Sequence, residues 1–470
     1  MPAVDKSCSV LPSATRSFAC AGLALLLAVA CAAPSEPASE PNTGGSSGKT
    51  GGSTGSGGSK PGSGGSSASG GSSASGGSSA SGGSSASGGS SGSGGQSGEG
   101  GSASPDGGGD AAGGSSGTGG GGGTPSNGTQ SKMIKLDTTA TGAAVMGDVP
   151  KYPVAVVLDS TNFDFATAKS KGEDIRFATA EGAALPYAIE LWDAPAKRAA
   201  IWVKVDVKGN ATQMLKMTWG DAAASDASAP QTVFDVKDGF TGVWHLSDPG
   251  SATPDGYKDS TANAAHGTGT NMGPEATGEG RVGNAVLLAH AKTQLVQISL
   301  EKSKIYDPQD KMTYSIWAFA KTHDVDYQCM FSKGEGSFRI HYFGKSTTVE
   351  TCAESGAGQN DLCPVNTGGI KVVTGQWFHL LATHDFPKHA IYINGVLQKS
   401  VTEMGSFKSD PTRPVCIGEN STYLGKANSR SFDGFLDEAR LMNVPKDDNW
   451  IKLEYESQKP GQKFATVLAN

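Results

Sequence analysis

Residues 375–400, GQWFHLLATHDFPKHAIYINGVLQKS, contain two apolar runs suited to strands, and Asn394-Gly395 follows the second run. An Asn-Gly pair favours a two-residue type I′ turn, because both central positions of that turn need a positive φ. In the hairpin that results, Ile393 lies on one face and Tyr392 on the other. Both faces carry apolar groups, which predicts an internal strand pair of a two-layer sandwich.

Further motifs lie on both sides of this hairpin in a characteristic order. Trp377 precedes the apolar strand, and the other motifs are VWHL at 243–246, DST at 259–261, GRVGNA at 280–285, YSIW at 314–317 and FDGFLDEAR at 432–440. Together they resemble the laminin G-like jelly roll of the concanavalin A-like lectin and glucanase superfamily. The resemblance extends over about residues 239–455 and implies a domain of two antiparallel sheets.

The preceding region carries shorter strand-like segments. They are VAVVL at 154–158, IRF at 175–177, YAIELW at 187–192, AIWVKV at 200–205 and MLKMTWG at 214–220. A spacing of about 10 to 15 residues is typical of an antiparallel sandwich. The sequences of these segments resemble the bacterial domain family of unknown function numbered 2341. We therefore predict an all-β protein of two antiparallel β-sandwiches, residues 132–236 and residues 237–470.

A tract of Gly, Ser, Ala and Pro fills most of residues 31–131 and holds many of the 68 glycines of the chain. Ordering a backbone costs about 1 to 2 kcal/mol per residue, and this tract has few apolar side chains to offset that cost. We predict a disordered linker. The net charge of −7 and the lack of a dense basic patch argue against nucleic acid as a partner.

Residues 1–30 have the pattern of an export signal. Lys6 and Arg16 supply positive charge before residues 18–30, an apolar run too short to span a bilayer comfortably. The run ends in LAVAC, which resembles the cleavage site of bacterial lipoproteins. The resemblance implies that Cys31 becomes the lipid-bearing first residue of the mature chain.

Ordinary signal cleavage after Ala30 or Ala33 is the alternative to lipidation. The residue after Cys31 is Ala32 rather than Asp, which resembles lipoproteins sorted to an outer membrane. We therefore predict an exported protein that is lipid-anchored at the outer membrane or cell surface. Its linker would act as a flexible tether with a reach of roughly 50 to 60 Å.

Four cysteines lie in the second predicted domain, at Cys329, Cys352, Cys363 and Cys416. Export makes disulfides the favoured state, and four cysteines allow three pairings. The short separation of Cys352 from Cys363 favours that pair and leaves Cys329 with Cys416. Four reduced, buried thiols are the alternative, and zinc is disfavoured because the spacing is not that of a metal knuckle.

Carboxylates raise the question of catalysis. The glucanase branch of the superfamily uses Glu-x-Asp-x-x-Glu on one strand, and this chain has no such triplet. The resemblance instead implies a structural calcium ion between Asp259, in an early Asp-Ser turn, and Asp437, in a late Asp-Glu strand. Solvated loop carboxylates are the alternative interpretation.

All eight histidines follow Gly242. His379 and His384 would point to opposite faces of a single strand, because their separation is odd. They cannot form a shared site from that strand alone. His245 and His341 lie in strand-like runs, and we predict that these two are packed or exposed structural histidines.

Residues 312–320 place Trp317 and Phe319 on the same strand face as Thr313 and Ser315. Sugar-binding sheets use this mixture, because an aromatic ring stacks on a pyranose while nearby hydroxyl groups fix its orientation. Trp317 is thus a candidate ligand-binding residue, with core packing as the alternative.

These observations predict a non-catalytic binding protein at the cell surface, which recognises carbohydrate or glycoprotein through its second sandwich. Two other classes of function stay open. One is a glycoside hydrolase or lyase acting on polysaccharide, and the other is a structural component of the envelope.

Overall fold

A computed structural model describes residues 129–307, 310–353, 363–364, 369–402 and 409–469. The predicted export signal, Cys31 and nearly all of the predicted linker lie outside these residues. Within them, no helix has the length and apolar character needed to cross a bilayer.

The first sandwich pairs a four-stranded sheet with a three-stranded sheet. The order in the larger sheet is β21-β1-β6-β3, and in the smaller sheet it is β2-β5-β4. The strands are β1 (Gln130–Asp137), β2 (Val149–Asp159), β3 (Arg176–Thr179), β4 (Tyr187–Asp193), β5 (Arg198–Val207), β6 (Thr212–Trp219) and β21 (Ala465–Val467).

The second sandwich packs an eight-stranded sheet on a six-stranded sheet. The eight-stranded sheet runs β18-β17-β16-β12-β20-β10-β9, with β7 also paired to β20, and the six-stranded sheet runs β15-β14-β13-β19-β11-β8. Its strands are β7 (Phe240–Trp244), β8 (Gly267–Thr270), β9 (Thr277–Glu279), β10 (Asn284–Leu288), β11 (Leu295–Ile298), β12 (Lys311–Ala320), β13 (Cys329–Ser332), β14 (Phe338–Tyr342), β15 (Val349–Ala353), β16 (Trp377–Asp385), β17 (Lys388–Ile393), β18 (Val396–Thr402), β19 (Cys416–Ile417) and β20 (Gly434–Met442).

All these pairings are antiparallel, so the predicted all-β class with two antiparallel sandwiches is confirmed. Among the described residues three α-helices occur, α1 (Pro230–Val233), α2 (Leu300–Ser303) and α3 (Asp448–Gln458).

The predicted hairpin at Asn394-Gly395 is present between β17 and β18. Both turn residues have positive φ, 52° and 73°, and Ile393 pairs with Val396 as the two-residue turn requires. Only β17 is internal, however. Because β18 forms the edge of its sheet, the side chain of Val396 is 54% exposed.

Helix α3 lies between the two sandwiches. Asp447 caps its start by accepting a hydrogen bond from the backbone N–H of Trp450. Trp450 packs edge-on against Tyr152 of β2, with ring centroids 6.0 Å apart. One hydrophobic cluster therefore extends from the first sandwich through α3 to the outer face of the eight-stranded sheet, where it includes Leu381 and Tyr392.

The C-terminal strand β21 pairs with β1, opposite Ile134 and Leu136. Residues near the C-terminus thus complete the first sandwich, although the sequence analysis assigned them to the second. The strand is only three residues long, and its hydrophobic pattern was too short to reveal its partner.

Candidate functional site

Trp317, the predicted ligand-binding residue, is covered. Its side chain is 1% exposed, and its indole N–H donates to the amide oxygen of Gln458 on α3 at 2.7 Å. Tyr455 stacks on the indole, with centroids 5.8 Å apart. Core packing, the alternative interpretation of Trp317, therefore holds, because α3 occupies the surface on which a sugar would stack on this ring.

The two predicted calcium ligands differ in availability. Asp259 accepts hydrogen bonds at one carboxylate oxygen from the N–H groups of Val243 and Thr261, and at the other from Ala265 N–H and the Thr261 hydroxyl. Four hydrogen bonds, three from its own loop and one from Val243 of β7, fill its lone pairs, so Asp259 does not fit a calcium ligand in this geometry. Calcium binding at Asp437 stays a prediction.

Asp437 is less completely hydrogen-bonded than Asp259. One carboxylate oxygen accepts from the backbone N–H groups of Arg281 and Val282. The other, Oδ1, is buried and has no hydrogen-bond partner among the described residues.

The Cys352–Cys363 disulfide is present as predicted. The second predicted disulfide is not, because Cys329 and Cys416 are separate buried thiols. In the strand register Cys416 lies opposite Ser332. Three residues of strand separate Ser332 from Cys329, roughly 10 Å at about 3.3 Å per residue. A disulfide requires its two Cα atoms to lie within about 7 Å.

An aromatic and charged surface lies at one end of the six-stranded sheet. We call it the tyrosine–arginine surface and define it as Tyr327, Glu335, Tyr423 and Arg430. Tyr327 precedes β13, Glu335 lies in the turn between β13 and β14, and the other two follow β19. All four side chains are partly exposed.

Arg430 is the centre of this surface. Its guanidinium carbon lies 4.0 Å from the ring centroid of Tyr423 and 4.8 Å from that of Tyr327. One terminal nitrogen donates to a carboxylate oxygen of Glu335, and the other donates to the hydroxyl of Tyr423 at 2.7 Å. Cation–π contacts and charge-assisted hydrogen bonds therefore fix the guanidinium against both rings.

Glu335 is held by more than one cationic group. Its carboxylate lies 3.3 Å from a terminal nitrogen of the buried Arg339, and the amide of Asn420 donates to it at 2.6 Å. The Glu335 backbone N–H donates to the hydroxyl of Thr422 at 2.9 Å. These contacts fix the position of Glu335 within the tyrosine–arginine surface.

The backbone of Tyr327 is strained, with a φ of 54°. Bulky residues rarely adopt the left-handed region, and where they do, the surrounding structure must hold them there. Edge contacts with Phe343, at 6.0 Å between ring centroids, support the ring in this position. This backbone conformation places the Tyr327 ring against Arg430.

Sequence reasoning missed this surface. Glu335 and Arg430 are 95 residues apart in sequence, and neither lies in a motif with a defined spacing. Loop residues carry no periodicity, so only the fold brings these side chains together.

A second carboxylate, Glu419, lies behind this surface and is 2% exposed. Burial raises its pKa, while hydrogen bonds from the Ser429 hydroxyl and from the backbone N–H groups of Asn420 and Arg430 lower it. Both oxygens of Glu419 thus have protein partners.

Two known families match successive parts of this chain. Residues 292–452 match the concanavalin A-like lectin/glucanases superfamily, and residues 171–247 match a domain of unknown function (DUF2341). The second sandwich is therefore a concanavalin A-like domain. Both family resemblances drawn from the sequence are confirmed.

Several solved structures overlap with about half of this chain. Domain 4 of AbnA, a GH43 extracellular arabinanase from Geobacillus stearothermophilus, in complex with arabinotriose, aligns with a TM-score of 0.36 and 19% identity, covering 47% of this chain and 98% of that domain. The binding domain of Paraclostridial Mosquitocidal Protein 1 aligns with a TM-score of 0.35 and 14% identity, covering 47% of this chain and 53% of that one.

The receptor-binding domain of botulinum neurotoxin mosaic serotype C/D gives a TM-score of 0.35 and 13% identity, covering 48% of this chain and 52% of that one. The chain thus spans about half the length of the two toxin structures. A search of curated proteins gives no match.

Proposed function

We propose that this protein binds carbohydrate, free or on a glycoprotein, through the tyrosine–arginine surface and does not transform it. The observation that carries the proposal is the arrangement of two partly exposed tyrosine rings around Arg430, which Glu335 and Tyr423 hold in place. Aromatic rings offer a flat surface to the C–H face of a pyranose, and fixed polar groups beside them select its orientation.

Preorganisation supports binding at such a shallow surface. Ordering a flexible side chain on binding costs about 0.5 to 1.5 kcal/mol. Arg430 is already ordered by ion pairing with Glu335 and by its contact with Tyr423, so a ligand would not bear that cost again. The remaining contact area is small, and we expect weak affinity at a single site.

The carboxylates near this surface favour binding over hydrolysis. A retaining or inverting glycosidase needs one carboxylic acid and one carboxylate that both reach the glycosidic bond. Glu335 is occupied by Arg339, Arg430 and Asn420, while Glu419 is buried and fully hydrogen-bonded. Neither is placed to donate or accept a proton at a bound sugar.

Anchoring is the second part of the proposal. A lipid on Cys31 would hold the protein at the outer membrane or cell surface, and residues 31–131 would carry the two sandwiches away from the bilayer. Many weak sites on flexible tethers can engage a single polymer together, which raises the effective affinity without any new contact.

A glycan array tests this proposal directly. The full chain, purified in detergent and presented as a multimer, should bind a subset of carbohydrates, and Tyr423→Ala should reduce that signal. Leu397→Ala serves as a control, because Leu397 is 45% exposed on β18 of the other sheet. Cleavage of an arrayed polysaccharide would instead support a hydrolase or lyase. The absence of any binding signal with folded protein would support a structural role in the envelope.

A further inference from the structure

Three side chains from distant parts of the chain converge where the two sandwiches meet. Glu190 lies on β4 of the first sandwich, His245 follows β7, and Glu438 lies on β20 of the second sandwich. One potential ligand atom from each residue lies within 4.8 Å of the others. The Nδ1 atom of His245 is 2.8 Å from Oε1 of Glu438 and 3.5 Å from Oε2 of Glu190.

These side chains are almost completely buried. The exposed fractions are 2% for Glu190, 10% for His245 and 1% for Glu438. Burying carboxylates is costly unless each is paired or coordinates a metal ion. Each carboxylate oxygen of Glu190 and Glu438 already has one hydrogen-bond partner, and a metal ion would replace the hydrogen bond between Nδ1 of His245 and Oε1 of Glu438.

The polar neighbours of the cluster orient its carboxylates. The indole N–H of Trp202 donates to Oε2 of Glu190 at 2.6 Å, and the Ser247 hydroxyl donates to Oε1. A terminal nitrogen of Arg440 donates to Oε2 of Glu438 at 2.7 Å. Hydrogen bonds of this kind, made to a ligand from outside the coordination sphere, fix the orientation of metal ligands in proteins.

The imidazole and the backbone of the cluster are fixed as well. Trp202 stacks on the His245 ring, with centroids 5.5 Å apart and an angle of 20°. Glu438 has a φ of 51° and lies at a β-bulge, where the register between β20 and β12 shifts. Bulges and left-handed residues re-aim side chains and recur at functional sites.

Few lysine or arginine side chains pair with the carboxylates around the cluster. Arg440 pairs with Glu438 and Glu454. Among the described residues, no lysine or arginine side chain forms an ion pair with Glu190 or Asp437. The Oδ1 atom of Asp437, adjacent to Glu438 in sequence, is also buried without a hydrogen-bond partner. A bound divalent cation would favour the ionised form of these carboxylates.

A cleft of about 420 Å³ reaches the cluster from solvent. The polar residues along it include Glu190, His245, Ser247, Asp248, Lys258 and Asn284. Because Glu190 and His245 form part of its wall, an ion at the cluster would have an entry path and room for a water ligand.

We propose that Glu190, His245 and Glu438 bind one divalent transition-metal ion at the junction of the two sandwiches. Three protein ligands with one position open to a cleft is a typical zinc arrangement, and an imidazole with two carboxylates also suits manganese. Calcium prefers oxygen ligands in larger number, so this site favours Zn²⁺ or Mn²⁺. The site is distinct from the tyrosine–arginine surface and does not depend on it.

Calorimetric titration of the full chain, stripped with chelator and kept in detergent, tests the proposal with ZnCl₂, MnCl₂ and CaCl₂. We expect one Zn²⁺ per chain and weaker or no binding of Ca²⁺. Glu190→Gln and His245→Gln should each weaken Zn²⁺ binding by at least about 100-fold, since outer hydrogen-bond partners alone contribute about 10- to 100-fold. Binding of neither Zn²⁺ nor Mn²⁺ by the wild-type chain, or unchanged binding in both variants, would overturn the proposal.

Glu350→Gln is the matched control. Glu350 forms a buried pair with His341 at 3.0 Å, but the nearby Cys352 is in a disulfide and offers no thiolate. Zn²⁺ binding should be unchanged in this variant, and its loss would place the ion elsewhere and overturn the proposal.

X-ray absorption of the Zn²⁺-loaded wild-type chain gives a test that does not depend on variants folding. Light ligands at about 2.0 to 2.2 Å, including one imidazole, would support the site. Sulfur ligands at about 2.3 Å would contradict it.

Discussion

The indole N–H of Trp317 donates a hydrogen bond to the amide oxygen of Gln458 at 2.7 Å. This contact fastens α3 across the outer face of the eight-stranded sheet. It converts a face with sugar-binding composition into an interior surface shared with the first sandwich. The tyrosine–arginine surface, at one end of the six-stranded sheet, is not covered in this way and stays partly exposed.

The shared core predicts that the two sandwiches unfold together. Trp450 is 5% exposed and contacts Tyr152 of the first sandwich. Trp450→Ala should lower the free energy of unfolding by about 3 to 5 kcal/mol, because it leaves a large cavity. Chemical denaturation measures this change, with Lys463→Ala as an exposed control. Two separate transitions in the wild-type chain would contradict a shared core.

The cysteines should differ in chemistry. Closing the 11-residue loop between Cys352 and Cys363 is expected to stabilise the fold by about 3 kcal/mol in the chain-entropy model. Burial raises the pKa of the Cys329 and Cys416 thiols, so they should resist alkylation until the protein is denatured. Peptide mapping without reductant measures both properties. A cross-linked peptide joining Cys329 to Cys416 would restore the pairing expected from sequence.

Two buried histidines should make the fold sensitive to acid. Burial lowers the pKa of His384 to about 4, and burial together with neighbouring His384 lowers that of His389 to about 3. At pH 5 an unfolded imidazole, with an ordinary pKa of about 6.5, binds a proton that the folded one does not. Protons therefore favour the unfolded state, and stability should fall as pH drops from about 6.5 toward 4.

His384→Gln checks the origin of this effect, because it removes one of the two imidazoles and also the neighbour that lowers the pKa of His389. Between pH 7 and pH 5 the variant should lose less stability than the wild-type chain, by up to about 2 kcal/mol. Urea denaturation at the two pH values gives the difference. Equal losses in both proteins would show that His384 does not contribute.

The anchor prediction concerns residues outside the described structure. Cys31→Ser should abolish lipid attachment and shift the protein from the detergent phase to the aqueous phase, or leave it unprocessed. Phase partition of cell extracts and the mass of the mature N-terminus measure this. Unchanged partitioning with Cys31→Ser would indicate ordinary signal cleavage or another means of attachment.

Local chemistry made part of this architecture predictable. The turn at Asn394-Gly395 and the Cys352–Cys363 pair depend on residues that are close in sequence, and both are present. Trp317 was harder to assign, because alternation along a strand does not tell whether solvent or a helix lies over a given face. Helix α3 covers Trp317, so this side chain is part of the core.

The candidate sites could not be found from sequence for a related reason. Arg430 meets Tyr327 and Glu335 only after three loops come together. Glu190 and Glu438 meet His245 only when the two sandwiches pack against one another. Contacts between distant loops and between domains leave no spacing pattern, so interpreting each residue separately assigned His245 a purely structural role.

Calorimetric titration of a carbohydrate selected from the array tests the central claim most directly. Affinity should fall about 5- to 30-fold in Tyr423→Ala, corresponding to about 1 to 2 kcal/mol for one aromatic contact. Tyr423→Phe keeps the ring and should retain most of the affinity, and Leu397→Ala should bind as the wild-type chain does. Equal affinity in the wild-type chain and Tyr423→Ala, with both folded, would contradict carbohydrate binding at the tyrosine–arginine surface.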